Sequence, residues 1–145
     1  MEWIRHRCKV SIRFRDTDSY GIVHHSNFFC YFEEARYDFS KKILNFQEDM
    51  MDGRCVKFPV IEAYCNYRHA VKYTGEDLYV EVLFRVVNDS KIEFRYKLTN
   101  DSGLKVYAKG NTVHAFVDNE KLCLVIPEWF KNRITNLDLL MKGES

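Results

Sequence analysis

A mixed α+β fold, in which one long helix precedes a block of antiparallel strands, is predicted by three features of the 145-residue sequence. Apolar residues recur at three- and four-residue spacings from Phe28 to Ile43, the period of a helix with one buried face. Four segments between Val56 and Val117 are instead rich in valine, tyrosine and phenylalanine and largely alternate, the period of strands. The segments TGED, NDS and NDSG separate those strands with turn-forming residues.

The elements follow in order. Cys8, Val10, Ile12 and Phe14 alternate with Lys9, Ser11, Arg13 and Arg15, so a first strand is expected to end near Arg15. After the turn DTDSYG, Phe28, Phe32, Ala35, Phe39 and Ile43 form the apolar stripe of a helix of about four turns, with Ser26 or Asn27 as its N-cap. The segments VKFPVIEAYCNYRHAV, DLYVEVLFRVV, KIEFRYKLT and KVYAKGNTVHAFV make four further strands. Pro127 opens a short C-terminal helix, PEWFKNRITNLDLLM, because proline at the first helical position forfeits only an N–H that has no partner there. One helix cannot cover both faces of so large a sheet, so a free face or edge is expected to meet a second subunit.

Composition narrows the function classes. The chain has the size of one domain, 1–145, with 46% hydrophobic and 15% aromatic residues to build a core. A net charge of +1, with 30% charged residues, gives no whole-chain argument for a nucleic-acid or membrane partner. Cys8, Cys30, Cys55, Cys65 and Cys123 include no C-x-x-C pair and no zinc-like grouping, and read as free thiols of a reducing compartment. No apolar run approaches a membrane-spanning length and the N-terminus has no apolar leader core, so a soluble cytoplasmic protein is expected.

The chemistry is concentrated in RFRDTDSYGIVHHSNF, Arg13 to Phe28. Asp16 or Asp18 supplies a carboxylate in a turn near the core, where partial desolvation sharpens basicity or nucleophilicity. The amides around His24, His25 and Ser26 lie at a helix start, where unpaired N–H groups and the helix dipole favour a developing oxyanion. Gly21 permits the tight turn between them. A carboxylate facing an oxyanion site suits acyl transfer, but an acidic turn followed by a helix cap is also common as plain structure, and the residues alone leave both open. Adjacent His24 and His25 point in different directions and no third ligand is fixed, so no metal or other cofactor is expected.

The same residues resemble the hotdog-fold thioesterases of the 4-hydroxybenzoyl-CoA thioesterase and YbgC type. Their D-x-D-x-x-G-[VI]-V-x-[HY]-x-N-[FY] motif is matched from Asp16 to Phe28, and Tyr31-Phe32-Glu33-Glu34-Ala35-Arg36 is similar to their Y-F-E-x-A-R. The resemblance implies a hotdog fold, a long central helix wrapped by a curved antiparallel sheet of about five strands. It also implies a homo-oligomer, dimer or dimer-of-dimers tetramer, paired edge to edge and binding acyl-CoA at the interface.

Carried across, Asp18 falls on the catalytic carboxylate, acting as nucleophile or general base, and the His25 amide on the oxyanion donor. The His25 side chain either orients substrate or packs the turn. Asp16, Gly21, Asn27 and Lys91 are the remaining substrate-site candidates, Asp16 in support and Asn27 holding the loop or capping the helix. Arg68 and Lys72 join Lys91 as cations near strand ends that could meet CoA phosphates. Glu33 and Glu34 correspond to the carboxylate position of another hotdog branch, or are simply a solvated helix face. The turn around Lys91 lacks the paired arginines of the 4-hydroxybenzoyl-CoA enzyme. The implied activity is hydrolysis of acyl-CoA. Alternatives are an acyl carrier protein thioesterase, a non-catalytic sensor of acyl thioesters, and a dehydratase that would use the histidines differently.

Overall fold

The computed structural model describes residues 3–47 and 50–143. Strand β1 (Ile4–Val10) leads through a 3₁₀ turn (Phe14–Asp16) into helix α1 (Ser26–Lys42). There follow β2 (Met50–Met51), β3 (Arg54–Lys57), β4 (Val60–Tyr67), β5 (Leu78–Val86), β6 (Lys91–Thr99) and β7 (Val106–Ala115). The short β8 (Val117–Asp118) and β9 (Lys121–Leu122) precede helix α2 (Glu128–Gly143). The main sheet has the order β1-β5-β6-β7-β4 and is antiparallel throughout, while β2, β3, β8 and β9 make a small second sheet.

Helix α1 buries Phe28, Tyr31, Phe32, Ala35 and Phe39, four of them on the stripe expected from the spacing. They meet the inward rows of the sheet. Phe32 stacks on Tyr96 with centroids 4.7 Å apart, and Phe39 lies 5.4 Å from Phe84 and 5.6 Å from Phe94. Each such ring, fully withdrawn from water, stabilises the fold by about 2–3 kcal/mol. The helix can approach β7 this closely because of Gly110, where a Cβ would sit 2.6 Å from the Phe32 ring and 2.8 Å from the Tyr64 carbonyl.

Three expectations are corrected. The first strand ends at Val10 rather than near Arg15, and Phe14 is 74% exposed. The Arg13 amide donates to Asp16 Oδ2 (3.1 Å) and the Asp16 amide to the Arg13 carbonyl (2.9 Å), so a local turn displaces the ladder. The segment from Val56 to Val71 is two strands rather than one, broken at Phe58-Pro59, because proline has no N–H to continue the pairing. The C-terminal helix is not short: its 16 residues nearly match the 17 of α1.

Strand β4 forms one edge of the main sheet, and all its residues except Cys65 are exposed, Tyr64 at 59%. No helix among the described residues is long and apolar enough to cross a membrane.

Candidate active site

The loop between β1 and α1 is held by Asp16. Its carbonyl accepts from the His24 amide and from Asn27 Nδ2, both at 2.8 Å. Its Oδ2 accepts from the Tyr31 hydroxyl (2.8 Å) as well as from the Arg13 amide. Burial, followed by the bond to the Asp16 carboxylate, pushes the Tyr31 phenol far above its ordinary range, so this tyrosine is a fixed donor. Asp16 and Asn27 thus clamp the loop to the first turns of the helix.

Between those clamps the chain forms a small hairpin, with Thr17 opposite Val23. The Asp18 amide donates to the Ile22 carbonyl (2.8 Å) and the Gly21 amide to the Asp18 carbonyl (3.0 Å). Gly21 occupies φ +78°, the left-handed conformation that glycine adopts without a Cβ penalty. Asp18 is half-buried, and its Oδ1 accepts from the Tyr20 amide at 2.8 Å. Oδ2 of Asp18 takes no hydrogen bond among the described residues. One carboxylate oxygen is therefore held by the turn and the other is uncommitted among the described residues.

At the start of α1, the Ser26 amide donates to His24 Nδ1 (3.2 Å), the Asn27 amide to the His24 carbonyl (3.0 Å) and the Phe28 amide to the His25 carbonyl (3.2 Å). The N-cap position expected for Ser26 or Asn27 is instead held by His25, which makes no side-chain capping bond, while the His24 ring accepts from the Ser26 amide. The His25 N–H is left without a partner among the described residues, at the positive end of a 17-residue helix. Tyr67, at the end of β4, donates its hydroxyl to the His25 carbonyl (3.3 Å), and its ring stands edge-on to the His25 ring at 6.0 Å. Burial pushes the Tyr67 phenol up to about 12. No local pattern marks Tyr67, since it lies 42 residues from the loop it supports.

The structure brings Asp16, Asp18, Gly21, His25 and Asn27 into one loop. Lys72 bridges to Ile22, and the Arg68 amide bonds the Tyr107 carbonyl near the start of β7, so both cations sit at this end of the sheet. Lys91 does not join them. It opens β6 opposite Ala115, at the far end of the sheet from the loop. Glu33 and Glu34 line a cavity of about 890 Å³ on the flank of α1. Among the described residues there is no cluster of three or more potential metal-ligating side chains.

Residues 12–134 match the family described as the thioesterase-like superfamily. The chain belongs to that superfamily. Among its relatives is a protein of Aquifex aeolicus named "Putative esterase", 33% identical over 117 residues, or 81% of this chain and 88% of that protein. Bacillus subtilis has a second, named "Putative acyl-CoA thioesterase YneP", 27% identical over 126 residues, 83% of this chain and 89% of that protein. A solved structure of a hypothetical protein from Thermus thermophilus, TT1821, superposes with a TM-score of 0.78 at 27% identity, covering 92% of this chain and 98% of that one. The expected fold class is thus found: the helix held against a five-stranded antiparallel sheet is the hotdog architecture of this superfamily.

Proposed function

We propose that this thioesterase-superfamily chain hydrolyses acyl-CoA to the free acid and CoA, with Asp18 as the reacting carboxylate and the His25 amide as oxyanion donor. The observation that carries the reading is the unpartnered His25 N–H at the start of α1, on the same loop as a carboxylate with one uncommitted oxygen. The thioester carbonyl would accept that N–H, and the helix dipole would favour the charge that develops on its oxygen. Asp18 then either attacks the carbonyl carbon, giving an acyl anhydride that water opens, or removes a proton from an attacking water; both expel the CoA thiolate. Gly21 shapes the turn, Asp16 and Asn27 hold it, and His25 orients it through the Tyr67 contact.

The exposed β4 edge, with Val60, Ile61, Tyr64 and Tyr67 bare, supports pairing with a second copy across that edge, which would enclose the loop and the flank of α1. Lys72 and Arg68, whose backbones lie at the loop end of the sheet, would meet CoA phosphates. The whole chain would act as one catalytic domain, and its five free thiols support work in the reducing cytoplasm.

Release of free thiol from a panel of aliphatic and aromatic acyl-CoAs tests the reading. Turnover of at least one member is expected. Saturable acyl-CoA binding with no thiol release from any would instead indicate a sensor, and turnover restricted to acyl carrier protein thioesters would redirect the substrate assignment.

A further inference from the structure

A polar chain crosses the core from α1 to the β3–β4 junction. Arg36 donates from Nη1 to the Tyr96 hydroxyl (3.2 Å), which is hydrogen-bonded to Thr112 Oγ1 (2.6 Å). Thr112 Oγ1 in turn meets His114 Nε2 (2.7 Å), and His114 Nδ1 meets the Phe58 carbonyl (2.8 Å). Tyr96, Thr112 and His114 are buried and satisfied by one another. Arg36 is different. It is half-buried, lines the 890 Å³ cavity, and forms no ion pair with any described carboxylate. Its bond to the neutral tyrosine uses one of five guanidinium N–H groups, and a half-buried guanidinium left otherwise unpaired is unusual unless something else pairs with it.

The cavity begins at Cys30, five residues past the His25 amide, and runs along the helix flank to Ser40, with Phe46, Phe58 and Pro59 as apolar wall. Arg36 lies eleven residues beyond His25, roughly 16 Å along the helix axis, and helical side chains lean back toward the N-terminus by several ångströms. An extended acyl chain of about eight to ten carbons starting at that amide would bring its last atoms to the guanidinium. Glu33 and Glu34 also line the cavity, but on exposed positions where solvent screens them.

We infer that the cavity beside α1 receives the acyl chain and that Arg36 in its wall selects chains ending in a carboxylate, making ω-carboxyacyl thioesters the substrate class. This rests on the thioesterase reading above for the position of the thioester. The apolar wall accommodates the methylenes, and Arg36, bonded through Nη1 to the Tyr96 hydroxyl, offers its remaining N–H groups to the terminal carboxylate as a charge-assisted pair.

The test has a turnover arm and a binding arm. In the first, kcat/KM for the CoA thioester of decanedioic acid is compared with that for decanoyl-CoA, in the wild type and in Arg36→Met and Arg36→Lys. The wild type should favour the carboxylated chain by about 10- to 100-fold. Arg36→Met should lose that preference while keeping decanoyl-CoA turnover, and Arg36→Lys should retain part of it. In the second arm, the unhydrolysable thioethers S-(9-carboxynonyl)-CoA and S-decyl-CoA are titrated against the same proteins, with the same order expected. Equal treatment of the two chains by the wild type, in either arm, overturns the inference whether or not Arg36→Met folds. Absence of turnover together with the expected thioether preference would sink the hydrolase reading and leave the Arg36 site standing. Binding of neither thioether would remove both.

Discussion

Gly110→Ala probes the contact that sets α1 against the sheet. The new Cβ would lie 2.6 and 3.3 Å from two atoms of the Phe32 ring and 2.8 Å from the Tyr64 carbonyl, whereas apolar contacts relax near 3.5–4.0 Å. The ring cannot swing freely, because Phe32 is fully buried and stacked 7° from parallel on Tyr96. The carbonyl is backbone in β4, paired with β7 at this point. Either the helix lifts or the edge strand bows, at about 1–3 kcal/mol for overpacking, against a gain of about 0.5–1 kcal/mol from replacing a strand glycine. The net loss, up to about 2.5 kcal/mol, should lower Tm by up to roughly 10 °C in a chain of this size, measured by circular dichroism. A Tm above the wild type would show that the helix is not held at its closest approach and would refute this account of the packing.

Two further perturbations separate the roles of neighbouring groups. His25→Ala keeps the backbone N–H, while His25→Pro removes it at a φ of −55°, which proline accepts; thiol release should fall roughly 10²–10³-fold further in the proline variant, and equal rates in the two would dismiss the amide as oxyanion donor. Burial pushes His114 down to about 4 from an ordinary 6.5, in spite of its bond to the Phe58 carbonyl. The unfolded chain therefore binds more protons between those values, and stability should be intact above pH 6.5 and fall by about 3 kcal/mol as pH drops to 4. Urea unfolding across that range checks the slope, which His114→Gln should flatten; a slope unchanged in that variant would assign it to other groups.

Much of the architecture was legible because periodicity reports directly on burial. The stripe Phe28, Phe32, Ala35, Phe39 is the buried face of α1, and KIEFRYKLT coincides with β6 residue for residue. What periodicity could not show was competition from local bonds. Ile12 and Phe14 continue the alternation of β1, yet the Arg13–Asp16 turn wins, since a side-chain acceptor next in sequence costs less entropy than a ladder. Pro59 was visible, but only its missing N–H explains why β3 and β4 part there.

The loop was legible as a cluster for a similar reason: Asp16 to Asn27 are near in sequence, and short hairpin bonds suffice to gather them. Contacts closed over long separations left no such mark. Tyr67 reaches His25 across 42 residues, and Arg36, Tyr96, Thr112 and His114 come together only when β6 and β7 pair beneath the helix. Lys91 shows the converse, a cation singled out for its place near a turn, which the register sets at the opposite end of the sheet from the loop.

Asp18→Asn, assayed on an acyl-CoA that the wild type hydrolyses, decides whether Asp18 is the reacting carboxylate. The amide can still accept from the Tyr20 N–H, so the turn and Tm should persist, while kcat falls by roughly two to four orders of magnitude with little change in acyl-CoA binding. Near-full hydrolysis by Asp18→Asn would contradict the account.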